Sequence, residues 1–291
     1  MSNYTLASLS YRVKDKGGAV SSRGKVLPSS GLNKSSLLIL IHGYNNDQIN
    51  ALKSYQQFLE LQEEIKDFSA NILEVFWPGD NWEGFLYYMQ SIGKVKEVAK
   101  LFAQDIYNAA SARGFLVIDF IAHSLGCRLI LETINILLSL QRNEKVPGLV
   151  IRNVVFMAGA VPVNYLNERG ILRDSVEYFK GALSLFSQSD SVLHYGFPIG
   201  QTLAREGIFP VALGRRKWAD GNNVVPRLNQ INNQGANHSD YWGADSKKPD
   251  ILKNTAKYVR TFIDMGAIPN RKIVTRNTST YNSLSRDIRP T

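Results

Sequence analysis

The stretch Gly114–Ile130, GFLVIDFIAHSLGCRLI, constrains this chain more than any other. After a glycine break, Phe115, Leu116, Val117, Ile118, Phe120 and Ile121 form an almost continuous apolar run, the pattern of a strand buried on both faces of a parallel sheet. The run meets Ala122-His123-Ser124-Leu125-Gly126 and passes directly into Cys127-Arg128-Leu129-Ile130-Leu131-Glu132, where the apolar spacing turns helical. The pattern is a strand, a sharp turn and a helix, with a serine at the turn.

A G-x-S-x-G turn needs this context, because its serine is lifted on a strained turn above the carboxyl end of a sheet. Ala122 stands where the first glycine is usual. Small residues are needed two before and two after the serine because the strand and helix backbones nearly touch there. Taken alone, these five residues leave a second reading open, with Ser124 as a simple helix N-cap. The rest of the chain has to decide.

Read in order, the chain alternates strands and helices. Tyr4–Val13 is a candidate strand followed by a loop rich in Gly, Ser and Lys. Ser36–Ile41 is a secure strand ending in His42-Gly43-Tyr44-Asn45-Asn46-Asp47, and Asp47 can cap the helix that follows. Asn71–Phe76 is a strand closed by the turn Trp77-Pro78-Gly79-Asp80. An aromatic-rich segment, Trp82–Met89, is interrupted at Gly93 before a helical stripe of Val95, Val98, Leu101, Phe102 and Ile106. Beyond the Ser124 turn, a helix is expected to about Leu140, a strand over Leu149–Met157 and a short helix around Val163–Lys180. Then come a strand over Ala182–Phe186, a turn-rich run Gly196–Asn223 with a helical piece near Ile199–Glu206, and a last strand within Val224–Ile231. Pro249 opens a closing helix that Gly266 stops.

Such alternation predicts an α/β fold, a mostly parallel central sheet with helices on both faces. Active sites in these sheets lie outside the carboxyl ends of the strands, so the turns after Ile41, Phe76, Ile121, Met157 and Phe186 should share one rim. The expected organisation is a strand and loop extension over residues 1–35, one domain over 36–266 and a disordered basic tail over 267–291. About 66 residues separate Ser124 from Asp190, too few for a large cap domain.

The net charge of +9 raises the question of nucleic acid, and its distribution answers it. Residues 1–36 hold six Lys/Arg and one Asp, and residues 252–291 hold eight Lys/Arg and two Asp, which leaves the middle of the chain near neutral. The basicity belongs to the ends, where weak contact with anionic surfaces is expected, and no basic stripe interleaved with aromatics marks a nucleic-acid face. The single cysteine, Cys127, excludes an intrachain disulfide and favours a reducing compartment. With neither a signal-peptide core nor an apolar run of membrane-spanning length, the expectation is a cytoplasmic protein. No metal is expected, since His42 with Asp47 and His123 with Asp119 each lack a third ligand at suitable spacing. The glycines do not form a phosphate loop, so no cofactor is expected.

A serine hydroxyl becomes a nucleophile only with a base to take its proton and an acid to orient that base. Four histidines are available. His238, in a turn between the last strand and last helix, can lean over Ser124 and is the candidate base, with His194 as its rival. Asp190, just past a strand end, is the candidate acid, although such aspartates also cap loops. Asp119 lies on the strand below the serine, and Asp174, Asp220 and Asp240 are less well placed.

Ser124, Asp190 and His238 follow the chain order Ser, Asp, His. Together with Leu40-Ile41-His42-Gly43 and Ala122-His123-Ser124-Leu125-Gly126, they make residues 36–266 resemble the α/β-hydrolase superfamily. Within it, His42-Gly43-Tyr44-Asn45-Asn46, Phe76-Trp77-Pro78-Gly79 and His238-Ser239-Asp240-Tyr241-Trp242 resemble a poorly characterised branch of bacterial-type hydrolases. The resemblance implies an oxyanion hole made by the backbone N–H groups of Tyr44 and Leu125, with His42 bracing the turn and Cys127 as a small core residue. It also implies a pocket, for which Tyr44, Trp77, Trp82 and Phe85 are the candidate walls. The expected activity is cleavage of a small-molecule or lipid carboxylic ester through an acyl-enzyme. A phospholipase or acyltransferase at a membrane surface is the alternative, followed by a non-catalytic interaction module.

Overall fold

The computed structural model describes residues 4–65, 69–80, 84–143, 148–219, 228–242 and 246–266. Its centre is an eight-stranded sheet in the order β2-β1-β4-β3-β5-β6-β7-β8. The strands are β1 (Thr5–Arg12), β2 (Val20–Leu27), β3 (Ser36–Ile41), β4 (Asn71–Phe76), β5 (Leu116–His123), β6 (Leu149–Met157), β7 (Gly181–Phe186) and β8 (Leu228–Asn232). Only the β1–β2 pair is antiparallel. Among the described residues the α-helices are α1 (Gln48–Ile65), α2 (Gly84–Arg113), α3 (Leu125–Asn143), α4 (Arg173–Tyr178), α5 (Phe197–Leu203) and α6 (Pro249–Gly266), and a π-helical turn at Val192–Gly196 leads into α5. α1 packs against α6, while α2 packs against α3 and α5.

Strand β5 sits at the centre because its residues are nearly all buried, as the apolar run requires. Its one acid, Asp119, is 3% exposed and is held by Arg152 Nε at 3.0 Å and by the Asn153 amide at 3.1 Å, beside a register shift between β5 and β6. That carboxylate is committed to the sheet. Gly93 does not break α2, which runs for 30 residues; a Cβ there would meet nothing within 4 Å, so the glycine occupies an open face. Of the helix expected over Val163–Lys180, a 3₁₀ turn at Val163–Tyr165 and the short α4 are formed.

Two strands within the first 35 residues, β1 and β2, belong to the central sheet. β1 lies between β2 and β4 and pairs with β4 in parallel along Thr5–Ser10. β2 lies in the stretch expected to be loop. It is an edge strand with no fully buried residue, so its sequence, VSSRGKVL, carries no core signal. The tail over 267–291 lies outside the described residues.

Arg12, at the end of β1, reaches across to the turn after β4. Its guanidinium donates to the Trp77 carbonyl at 2.8 Å and to Asp80 Oδ1 at 2.5 Å, and its side chain is 1% exposed. The Gly79 carbonyl of the same turn accepts from the Asn45 amide at 2.9 Å, which ties that turn to the loop after β3. Arg12→Ala removes one partner of a buried ion pair and is expected to cost about 3–5 kcal/mol. Urea unfolding by circular dichroism measures this, and a loss below about 1 kcal/mol would show that the pair contributes little.

Candidate active site

The turn from β5 into α3 is strained and tight. Ser124 has φ 52°, a left-handed conformation that a serine adopts only when its surroundings hold it there. Crowding explains the small residues around it. A Cβ on Gly126 would lie 2.5 Å from the His42 carbonyl and 2.9 Å from that of Ile41, and one on Gly43 would lie 2.8 Å from Ser124 Cβ. Ala122, at the position two before the serine, is fully buried. The Ser124 amide donates to the Met157 carbonyl at 2.9 Å, and its carbonyl accepts from the Ala160 amide at 3.0 Å, so the end of β6 and the loop after it fix both sides of the turn.

Three residues distant in sequence meet at this turn. His238 Nε2 lies 2.8 Å from Ser124 Oγ, and His238 Nδ1 lies 2.8 Å from Asp190 Oδ2. Because the carboxylate can only accept, Nδ1 carries the proton and Nε2 is left to accept from the serine hydroxyl. Asp190 is fully buried just beyond β7, and its Oδ1 accepts from the Leu193 amide at 2.9 Å. His194, the rival base, is exposed and its Nδ1 accepts from Arg215 Nε at 2.7 Å. It does not line the cavity above Ser124.

Two supports of His238 were not foreseen. His123, beside the serine, is 7% exposed, and its Nε2–H donates to the backbone carbonyl of His238 at 2.8 Å. Asp240 accepts from the Asn237 amide at 2.8 Å, from Ser246 Oγ at 2.8 Å and from Lys248 Nζ at 3.2 Å, which closes the turn carrying His238. Desolvation alone would raise its pKa, but these partners, the Asn237 amide first, hold it below the usual carboxylate range. The HSD spacing of His238-Ser239-Asp240 is the signal from which this brace could have been read.

His42 and His123 are both held neutral, with pKa values lowered to about 3, chiefly by burial. In the unfolded chain each takes a proton below about pH 6.5, so the stability they contribute is present above that value and is lost as the pH falls toward 3. From pH 7 to 5 each should cost about 2 kcal/mol. Glu74, raised by burial to about 7, acts in the opposite direction over part of this range. The informative readout is therefore a difference: in His123→Asn the fall in urea stability between pH 7 and 5 should shrink by about 2 kcal/mol. An unchanged fall would mean that His123 is protonated in the folded state.

A cavity of about 650 Å³ opens above Ser124. Its walls include Tyr44, Tyr88, Leu193 and Phe197, with His123, Ser124 and His238 at its base. Tyr44 is thus at the wall as expected, and its ring meets that of Tyr88 edge-on at 5.7 Å. Trp77 is not. It is fully buried, its ring stacked on His42 at 5.5 Å and its indole N–H donating to the His42 carbonyl at 2.9 Å. Being apolar and next to a strand end, it was open to both readings, and the core claimed it. Trp82 and the side chain of Phe85 lie outside the described residues. Cys127 is fully buried, and burial pushes its thiol pKa up, away from any nucleophilic form.

Leu125 opens α3, so its amide belongs to the first turn, where no intrahelical acceptor exists. Tyr44 follows Gly43, whose backbone presses against Ser124.

A mostly parallel sheet with a strained serine turn at the end of its central strand is the fold of an α/β hydrolase. Residues 26–247 match the family described as alpha/beta hydrolase of unknown function (DUF900), and the chain belongs to that family. A comparison with curated proteins found no match. Among solved structures, a putative cell surface hydrolase from Lactobacillus plantarum WCFS1 is 10% identical over 80% of this chain and 93% of its own, with a TM-score of 0.50. Est1E from Butyrivibrio proteoclasticus is 13% identical over 89% of this chain and 92% of its own, with a TM-score of 0.40. The likeness to the Lactobacillus plantarum protein concerns the fold alone.

Proposed function

We propose that the protein is a serine hydrolase that cleaves carboxylic esters through an acyl-enzyme. The observation that carries the proposal is the continuous row Asp190 Oδ2, His238 Nδ1, His238 Nε2 and Ser124 Oγ, with both contacts at 2.8 Å, at the base of an open cavity. In this reading Ser124 Oγ attacks the ester carbonyl while its proton passes to His238 Nε2, and Asp190 stabilises the imidazolium that forms. The tetrahedral oxyanion is held by the amides of Leu125 and Tyr44, each such donor typically contributing roughly 10²–10³ in rate. The imidazolium then protonates the departing alcohol. In the second half, water gives its proton to His238, its oxygen attacks the acyl carbon, and Ser124 leaves as the protonated hydroxyl with the acid as product.

The walls of Tyr44, Tyr88, Leu193 and Phe197 suit the apolar acyl chain of an ester. A fluorophosphonate probe tests the proposal directly, since it phosphonylates only a serine activated by its base. Stoichiometric labelling should appear on the peptide containing Ser124 and on no other. A folded, monodisperse protein that stays unlabelled would overturn the proposal and leave the fold as a binding module.

A further inference from the structure

The segment that forms one wall of the cavity has a second face, and that face is apolar and uncovered. Six of the thirteen large hydrophobics exposed on the described surface fall within residues 192–209: Val192, which also borders the cavity, and Tyr195, Ile199, Leu203, Ile208 and Phe209 beyond it. Such concentration is unlike the scattered single exposures normal for a protein surface. The π-helical turn runs without a break into α5. Tyr195, Ile199 and Leu203 therefore follow one another at intervals of four and form a stripe along one helical face. The Phe209 amide donates to Thr202 Oγ1 at 2.8 Å, which brings the tip Ile208-Phe209 to the end of the same stripe. Ile208 is 86% exposed and Phe209 64%. The inward side of the same segment, through Leu193, Gly196 and Phe197, lines the cavity above Ser124.

The charge in the stretch that carries the stripe is mostly basic. Within residues 191–219 the chain carries Arg205, Arg215, Arg216 and Lys217, against a single acid, Glu206. Glu206 is turned inward, accepting from Arg128 Nη2 at 2.9 Å and from Lys96 Nζ at 2.8 Å as well as from the Tyr165 hydroxyl. Arg205, Arg216 and Lys217 are exposed. Arg215 donates to His194, and that contact places the basic run 215–217 beside the start of the stripe, while Arg205 stands at its other end. An apolar tip flanked by cations matches a surface with an apolar interior and anionic headgroups.

We infer that residues 192–209 dock on an anionic lipid surface, with Ile208 and Phe209 inserted, and so bring the mouth of the Ser124 cavity against esters held in that surface. The inference rests on the ester-hydrolase reading for the chemistry, and on the stripe alone for the docking. Lipid-borne esters are then the substrate class.

The test uses the full chain, sedimented with vesicles of phosphatidylcholine alone or in equal parts with phosphatidylglycerol. Hydrolysis of soluble p-nitrophenyl acetate is measured in parallel. The wild type should sediment with the anionic vesicles. The double variant Ile208→Ser/Phe209→Asn should bind them about tenfold less well and hydrolyse the soluble ester within about twofold of the wild-type rate. Asparagine tolerates the positive φ of position 209, so this variant is expected to fold. Arg216→Gln/Lys217→Gln should lose the preference for anionic vesicles, and Ser124→Ala should bind as the wild type does. Equal vesicle binding by the double variant, or a wild type that remains in solution with both vesicles, would overturn the inference. A dimer that the double variant dissociates, without vesicle binding, would assign the stripe to a second copy of the chain. Vesicle binding by a wild type that leaves p-nitrophenyl acetate intact would sink the hydrolase reading while supporting the docking surface.

Discussion

Ser124→Ala and His238→Ala are each expected to remove nearly all ester turnover, by roughly 10⁴–10⁶, and the double variant should be little worse than either alone. In the proposed mechanism the two share a proton: Ser124 Oγ and His238 Nε2 are 2.8 Å apart, so loss of either group should disable the other. His194→Ala should cost far less. That ring is exposed, and its Nδ1 is taken by Arg215. Single-turnover acylation by an activated ester, at equal folded concentration, separates the cases. A dead His194→Ala beside an active His238→Ala would remove His238 from the base position and with it the proposed proton path.

Asp190→Asn should keep the fold and lower turnover by roughly 10⁴. The geometry explains why an amide is a poor substitute. One oxygen of Asp190 accepts from the Leu193 amide and the other from His238 Nδ1, and the site is fully buried. An asparagine has a single acceptor oxygen, which the fixed Leu193 amide claims, so its NH₂ faces the imidazole. Nδ1 must then accept, the proton moves to Nε2, and the nitrogen facing Ser124 can no longer act as a base. The loss should fall mainly on kcat, with KM little altered, because Asp190 is not among the residues lining the cavity. Turnover within about tenfold of wild type would move the role to another carboxylate. Asp240, the nearest in sequence to His238, already accepts from Asn237, Ser246 and Lys248.

The parts of the molecule that could be read from its sequence are those where one local pattern has one physical solution. A nearly unbroken apolar run such as Phe115–Ile121 must be buried on both faces, and the serine at its end follows from the small residues that let β5, α3 and β3 approach. Asp190 and His238 were legible because both follow strand ends that open on one rim. Residues whose fate depends on distant neighbours were not. Trp77 is as apolar as any pocket wall, and only the position of His42 sends it inward. Strand β2 exists because β1 offers it an edge to pair with, and its own mixed sequence holds no trace of that. The contact of His123 is set by the His238 turn that rests on it, more than a hundred residues away in sequence, and nothing local announces it.

The place of β1 between β2 and β4 has a consequence for how the molecule must be made. β1 is synthesised well before its parallel partner β4, which is complete only after residue 76, so this outer half of the sheet assembles by long-range pairing. A shortened chain beginning at residue 36 would retain the Ser124 turn but leave the Asn71–Phe76 backbone as a bare edge, rich in apolar side chains. Bare edges of that kind pair with one another. Trimming the first 35 residues should therefore produce insoluble protein before any effect on ester cleavage could be measured.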